Sequence, residues 1–415
     1  MTYFSFLHAA DLHLDSPLRG LARRGESAQA FLRASRHALT ALVDAAIARR
    51  VAFMVIAGDV YDGDWRDWST GQFFAREMGR LARAEIPVFM LRGNHDAESV
   101  VTRQIALPAN VHEFATGKAQ SFALDALKVA LHGRGFAQRH AQEDVAQTYP
   151  PARPGWFNIG VLHTSLDGRD GHAPYAPTQV EHLRRPGYDY WALGHVHARE
   201  VVAQDPWIVF PGNLQGRHAR ETGPKGATLV RVEHRRVAAV EALTLDAARF
   251  EQIAIDLTQA LEDDTLRALA RDALADAARR AEGRPLALRV ILCGQCPLHE
   301  RLLAHRAQAE ADMQALADEA GADVMIEKLV VATTSARAAP PAALDGFAAI
   351  LDKVAADPAF RADVAQTLRA LRAKAAPQAY ALAGQSEPEA DAPALVASAL
   401  AELRAALADD AEAAP

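Results

Sequence analysis

The chain has 415 residues, 50% hydrophobic and 23% charged, so it can bury two or three domain cores and is neither a disordered segment nor a fibrous repeat. Two cysteines exclude a disulfide scaffold, no stretch of 18 uncharged apolar residues offers a membrane span, and Met1–Ala10 lacks the basic flank and apolar run of a secretory signal; a soluble protein of the reducing cytoplasm is the expectation. Lysine and arginine number 45 against 52 acids, a net charge of -7, so the chain as a whole does not attract a polyanion and any nucleic-acid contact must be local.

The first 240 residues alternate short apolar runs with helical patterns, which predicts a layered α/β sheet domain. The runs are Tyr3–Ala9, Val51–Ala57, Pro87–Leu91, Phe157–Leu162, Tyr190–Leu193 and Trp207–Phe210, with helical spacing over Ala30–Arg50 and Ser69–Ala84. The first five runs each end in a cluster containing histidine or aspartate, and 14 of the 16 histidines precede residue 235. Ligands in open α/β sheets collect beyond the carboxyl ends of the strands, so the pattern predicts one convergent site rather than five. From Phe250 the order becomes strand, helix, strand, helix, strand, over Gln252–Leu257, Thr265–Ala281, Leu286–Leu292, Leu298–Ala320 and Asp323–Val331, a small separate α+β domain. Ser335–Pro341 reads as a linker, beyond which 28 of 74 residues are alanine; recurring leucines predict helices around a polar break at Gly384–Pro393. The expected domains are 1–245, 246–334 and a helical tail at 335–415.

The polar clusters are Asp11-Leu12-His13, Gly58-Asp59-Val60-Tyr61-Asp62, Gly93-Asn94-His95-Asp96, His163, and Gly194-His195-Val196-His197. Carboxylates, imidazoles and one amide form a mixed N and O donor set, which suits manganese, iron or zinc better than the all-oxygen preference of magnesium or calcium. On extended chain Asp11 and His13, or His195 and His197, point the same way, so each pair can reach one metal. Singly these motifs are weak: Asp-x-His is usually a strand-end carboxylate with an unrelated histidine, and Gly-Asn-His-Asp can be a turn followed by a helix cap. Five in this order, each after an apolar run, are not accounted for by solvated loop histidines.

All five blocks resemble the calcineurin-like metallophosphoesterase family, whose motifs are Asp-x-His, Gly-Asp-x-x-Asp, Gly-Asn-His-Asp/Glu, a lone His and Gly-His-x-His. Within it, Ala9–Asp15, Phe210-Pro211-Gly212-Asn213, Glu221, Lys225-Gly226 and the following α+β domain resemble the SbcD-type DNA-repair nuclease subunit. The resemblance implies a four-layer α/β fold, a β-sandwich flanked by helices, followed by a small α+β domain that caps DNA. It implies two divalent ions, manganese the expected pair: Asp11, His13 and His197 on one, Asn94, His163 and His195 on the second, and Asp59 on both. Such a pair clamps a phosphodiester and yields hydroxide near neutral pH. His95 is expected to face the phosphate as the catalytic acid or transition-state contact, with Asp96 orienting it and Asp62 supporting the loop or the ligands.

Arg217, Arg220 and Lys225, with His218 among them, are candidate contacts to a bound strand, although a solvated basic loop paired with Glu221 explains them equally well. The adjacent Arg184-Arg185 reads as a solvated face. Cys293-Gly-Gln-Cys296 with His299 invites a zinc reading, which fails for want of a second ligand pair.

The implied function is a metal-dependent DNA nuclease, exonuclease or endonuclease, acting in repair; the alternative is a phosphatase or phosphodiesterase for small molecules, lipids or phosphoproteins. The α+β domain favours the nuclease, and the complete ligand set argues against an inert scaffold. The implied partners are DNA, an SMC-like ABC-type ATPase and a second copy of the chain. The ATPase would meet the tail, where Leu368, Leu371 and Ala375 give a short apolar face; an independently packed helical end fits that tail as well.

Overall fold

The computed structural model describes residues 3–18, 28–62, 68–98, 105–138, 143–166, 176–321, 323–336 and 345–374, together with residue 21 and scattered positions between 392 and 403. In chain order its strands are β1 (Tyr3–Ala9), β2 (Phe53–Ala57), β3 (Val88–Leu91), β4 (Val111–Glu113), β5 (Gln120–Leu124), β6 (Val129–Gly133), β7 (Phe157–His163), β8 (Tyr190–Gly194), β9 (Glu200–Gln204), β10 (Trp207–Phe210), β11 (Gly226–Glu233), β12 (Arg236–Thr244), β13 (Arg249–Asp256), β14 (Leu286–Cys293), β15 (Gln295–Cys296), β16 (Val324–Val331) and β17 (Thr334–Ser335). The helices are α1 (Gln29–Arg49), α2 (Trp68–Arg83), α3 (Asn94–Glu98), α4 (Val180–Arg184), α5 (Asp263–Arg280), α6 (His299–Ala304), α7 (Arg306–Ala320), α8 (Asp345–Ala356) and α9 (Pro358–Lys374). The chain divides into two compact units between Arg249 and Phe250, later than the expected 245, because β13 starts only at Arg249.

The first unit holds two six-stranded sheets, in the orders β12-β11-β1-β2-β3-β4 and β5-β6-β7-β8-β10-β9. Strands β1 to β4 run parallel, as do β6, β7, β8 and β10, while β11, β12, β5 and β9 add antiparallel edges. Alternation along each strand sorts side chains between layers. Phe6, Phe53 and Phe89 from the first sheet meet Phe157, Ile159 and Tyr190 from the second. Leu7, Met54, Ile56 and Met90 face the opposite way, onto Leu39 and Leu42 of α1 and Phe74 and Leu81 of α2. The far face of the second sheet buries Leu162, Trp191 and Ile208 under Tyr149 and Leu183. Central strands covered on both faces must be apolar at nearly every position, which is why they read as continuous runs. Strands β4, β5, β6, β9, β11 and β12 were not among the expected runs; β12 keeps one face in solvent and mixes Arg236, Glu241 and Thr244 into its pattern.

In the second unit β14 lies between β13 and β16, parallel to β16, and Leu288 and Val290 of β14 with Ile326 of β16 pack against Leu274 of α5 and Leu316 of α7. The single helix expected over Leu298–Ala320 is broken at His305, whose φ of -113° and ψ of 40° leave the helical region between α6 and α7. Cys296 is buried and the His299 imidazole engages the Thr333 hydroxyl at 2.9 Å, so the C-x-x-C and His299 serve packing. Leu371 on α9 is exposed; Ala375 and residues 384–391 lie outside the described residues. Among the described residues no helix is long and apolar enough to cross a membrane.

Candidate metal centre

The polar clusters follow the carboxyl ends of β1, β2, β3, β7 and β8, and the backbone keeps pairing past the strands: Asp11 N–H donates to Gly58 O and His13 N–H to Asp59 O, both at 3.0 Å. Asp11, His13, Asp59 and His195 have φ values of 52°, 41°, 54° and 101°. Such conformations cost a non-glycine residue roughly 1 to 3 kcal/mol and persist only where the surroundings over-determine them. Asp11 and His13 therefore converge because their loop is kinked, not because of the strand pleat anticipated from the x spacing. The motif glycines make room. A Cβ on Gly93 would stand 2.2 Å from Asp59 Oδ1, and one on Gly58, whose φ is 95°, would stand 2.5 Å from His163 Nδ1.

Asp59 lies at the centre. Its Oδ2 is 3.8 Å from His13 Nε2 and 3.4 Å from His163 Nε2, while Oδ1 accepts the His95 backbone N–H at 2.9 Å. On one side His13 Nε2 and His197 Nε2 are 3.2 Å apart, and His197 Nε2 is 3.9 Å from Asp11 Oδ1. On the other, His163 Nε2 lies 2.9 Å from Asn94 Oδ1, and the His195 ring packs edge-on against His163 with centroids 5.2 Å apart. Two imidazoles are set by partners on their outer nitrogens: His163 Nδ1–H donates to Ala57 O at 2.9 Å and His197 Nδ1–H to Glu221 Oε1 at 2.6 Å, turning both Nε2 atoms inward. The structure thus gathers the seven expected ligands, with Asp11, His13 and His197 in one group, His163, Asn94 and His195 in another, and Asp59 near an imidazole of each.

The electrostatics suit cations. Asp11, His13, Asp59 and His163 are all buried. Burial alone would lower His163, but the Asp59 and Asp11 carboxylates overcome it and raise the imidazole to about 9. Burial holds His13 down near 3, helped by the Arg217 charge. Asp59, despite its burial, is held well below the usual carboxylate range by His163 and His13. A histidine that clings to its proton reports the negative potential a divalent cation would meet.

His95 packs edge-on against His13, ring centroids 5.0 Å apart, and its Nδ1–H is taken by Asp62 Oδ1 at 3.0 Å. Burial opposes protonation, but Asp62 and Asp59 raise the imidazole above its ordinary value. The partner expected for His95 was Asp96; the structure corrects this. Asp96 points away from the ring and accepts the backbone N–H groups of Tyr61 at 2.9 Å, Gly93 at 3.1 Å and Val60 at 3.2 Å, which ties the second and third motif loops together. Asp62 instead groups with His13 and His95 and also takes the Ser16 hydroxyl at 2.6 Å.

The three basic candidates part company. Arg220 is exposed. Lys225 is half-buried and donates to the His197 carbonyl at 3.2 Å, which makes it a brace for the last motif. Arg217 lies inside the centre, beside Asp62, His197 and Glu221. Glu221 also accepts Asn213 Nδ2–H at 2.9 Å and the Arg217 backbone N–H at 2.7 Å; burial pushes its carboxyl up, yet His197 and Arg217 hold it well below the usual range. The Pro-Gly-Asn turn and Glu221 are thus the supports of His197, a role that spacing alone did not disclose.

Among the described residues, buried and part-buried nitrogen and oxygen donors gather as Asp11 with His13 and His197 and as Asp11 with Asp59 and His163, adjoining sets that fit a pair of divalent cations. The comparisons agree. The family model for calcineurin-like phosphoesterase matches residues 4–199, and that for the metallophosphoesterase YhaO middle domain matches residues 250–334. The chain is 35% identical over 302 residues to the uncharacterized metallophosphoesterase YhaO of Bacillus subtilis (strain 168), covering 72% of this chain and 73% of that protein. It is 24% identical over 245 residues to the DNA double-strand break repair protein Mre11 of Sulfurisphaera tokodaii, 55% of this chain and 60% of the relative, and 23% identical over 225 residues to that of Methanopyrus kandleri, 50% and 48%. Motifs, layered sheets and the long match to a metallophosphoesterase lead to one assignment: the chain belongs to the calcineurin-like metallophosphoesterase family, whose members are metal-dependent phosphoesterases.

Proposed function

We propose that the chain is a manganese-dependent DNA nuclease that hydrolyses phosphodiester bonds at the Asp59-centred site and serves DNA repair, with a coiled-coil ABC-type ATPase as its partner. The observation that carries the reading is the joint presence of this donor set, a separate α+β unit after residue 250, and sequence likeness over half the chain to two Mre11 proteins named for double-strand break repair. The nitrogen-rich donors, without thiolate, favour manganese over magnesium.

Two ions, held by Asp11, His13 and His197 and by Asn94, His163 and His195 with Asp59 between, would supply Lewis acidity and a water of lowered pKa. The remaining work falls to the chain. Asp62 fixes the Nδ1–H of His95, which leaves the other nitrogen to give a proton to the leaving oxygen, and the raised proton affinity keeps the imidazole supplied with one. Glu221 and Ala57 hold His197 and His163 in the tautomers whose Nε2 atoms point inward. Arg220, exposed in the same segment as Arg217, is the residue we propose to contact the phosphate of a bound strand. With a net charge of -7, tight DNA binding requires a partner.

The test is manganese-dependent release of nucleotides from linear duplex DNA by the full chain, beside an aryl phosphodiester and a phosphomonoester. The proposal expects DNA cleavage that requires manganese and exceeds phosphomonoester turnover. A phosphomonoester turned over far faster than DNA refutes it and leaves a phosphatase.

A further inference from the structure

We infer that Arg217 is a catalytic residue of this centre, its guanidinium contacting the non-bridging oxygens of the reacting phosphoryl group, and not a member of a DNA-backbone patch. The inference needs the phosphoesterase chemistry of the site, not the choice of DNA as substrate.

The side chain is 18% exposed and surrounded by the machinery. Nη1 is 3.8 Å from Asp62 Oδ1, and Nη2 is 3.4 Å from Glu221 Oε1 and 3.3 Å from His197 Nδ1. Charge-assisted pairs close to about 2.7 to 2.9 Å when guanidinium and carboxylate are each other's main partner. Here they are not. Glu221 takes His197 at 2.6 Å and Asn213 at 2.9 Å, and Asp62 takes Ser16 at 2.6 Å and His95 at 3.0 Å. Arg217 Nε is buried without a hydrogen-bond partner among the described residues. The guanidinium is held by the field of two carboxylates while most of its donors stay uncommitted.

Its position makes little sense as support for metal binding. A fixed positive charge beside the ring of His197 repels a cation at that site, so a merely structural arginine would weaken the centre it lines. An anionic substrate removes the conflict. The same oxygen, Asp62 Oδ1, lies 3.0 Å from His95 Nδ1 and 3.8 Å from Arg217 Nη1, so imidazole and guanidinium flank one carboxylate. Phosphoryl transfer gathers charge on the equatorial oxygens, and a planar fork fixed in advance in a part-buried site meets that charge without reorganisation.

The experiment uses the full chain reconstituted with manganese, as wild type, Arg217→Ala and Arg217→Lys, with bound manganese, kcat and KM measured on bis(4-nitrophenyl) phosphate, 4-nitrophenyl phosphate and linear duplex DNA. On every ester that the wild type turns over, Arg217→Ala should keep wild-type manganese content and lose about 10²- to 10³-fold in kcat, the scale of removing one transition-state donor. Added guanidinium should restore at least about 10-fold of that loss in Arg217→Ala and nothing in wild type, and Arg217→Lys should stay well below wild type because an ammonium lacks the fork. Loss of manganese from both variants, a loss confined to DNA, or absence of guanidinium rescue overturns the assignment. A wild type that turns over only the monoester refutes the nuclease proposal, while Arg217 is still decided on that substrate.

Discussion

Asp62, from the loop after β2, and His95, in α3 after β3, form a 3.0 Å pair in which the Asp62 carboxylate accepts the imidazole Nδ1–H. Although His95 adjoins His13, its Nδ1–H is committed to Asp62, so loss of its ring should affect proton transfer more than metal binding. His95→Asn should keep two manganese equivalents and lower kcat by roughly 10²- to 10⁴-fold. Metal analysis beside turnover checks this; a variant that loses its manganese shows His95 to be structural.

Asp59 Oδ2 reaches toward both imidazole groups, whereas His13 belongs to one. Asp59→Asn should therefore bind less than one equivalent of manganese, and His13→Ala about one, when wild type binds about two. Titration by calorimetry or plasma emission separates the cases, and equal losses in both variants contradict the shared carboxylate.

Gly93→Ala is a small change with a specific obstacle, since its Cβ would meet Asp59 Oδ1 at 2.2 Å. The carboxylate must move away from the centre. Activity should fall by at least about 10²-fold, the scale seen when positioned groups shift by about 1 Å, with the far-ultraviolet circular dichroism unchanged.

Asp96 supports two loops through three backbone N–H groups. Asp96→Ala leaves these buried donors without an acceptor, at about 1 to 3 kcal/mol for a buried group that loses its partner. Thermal unfolding of the metal-free variant should begin several degrees below wild type. An unchanged melting temperature excludes the tie.

Metal-free stability should fall with rising pH. His163 stands at about 9 in the fold against an ordinary 6.5, so the native state binds this proton more tightly than the unfolded chain. That stabilisation is complete below pH 6.5 and is lost as pH rises through 9. Melting of chelator-treated protein should drop across that interval, and His163→Gln should flatten the drop. Manganese affinity should rise over the same range, because a ligating imidazole must release its proton.

The sequence by itself determined the layered α/β architecture and which polar clusters could meet at one site. Strands buried on both faces have to be apolar throughout, and the polar residues that break such runs, Asp11, Asp59, Asn94, His163 and His195, mark where the sheet ends and a ligand can enter. Periodicity did not reveal β12, which is half in solvent, or the break at His305, which no proline or glycine announces. What each residue does around the ligands was settled only by tertiary structure, because hydrogen bonds depend on which loops meet in space. Adjacency suggested Asp96 for His95, but a kinked loop brings Asp62 to the ring and turns Asp96 onto the backbone of Tyr61 and Gly93. Arg217, Arg220 and Lys225 lie within nine residues of one another and look like a single basic patch; the turn at Asn213 and the demand of Glu221 for donors draw Arg217 into the centre, set Lys225 against the His197 carbonyl, and leave only Arg220 facing solvent.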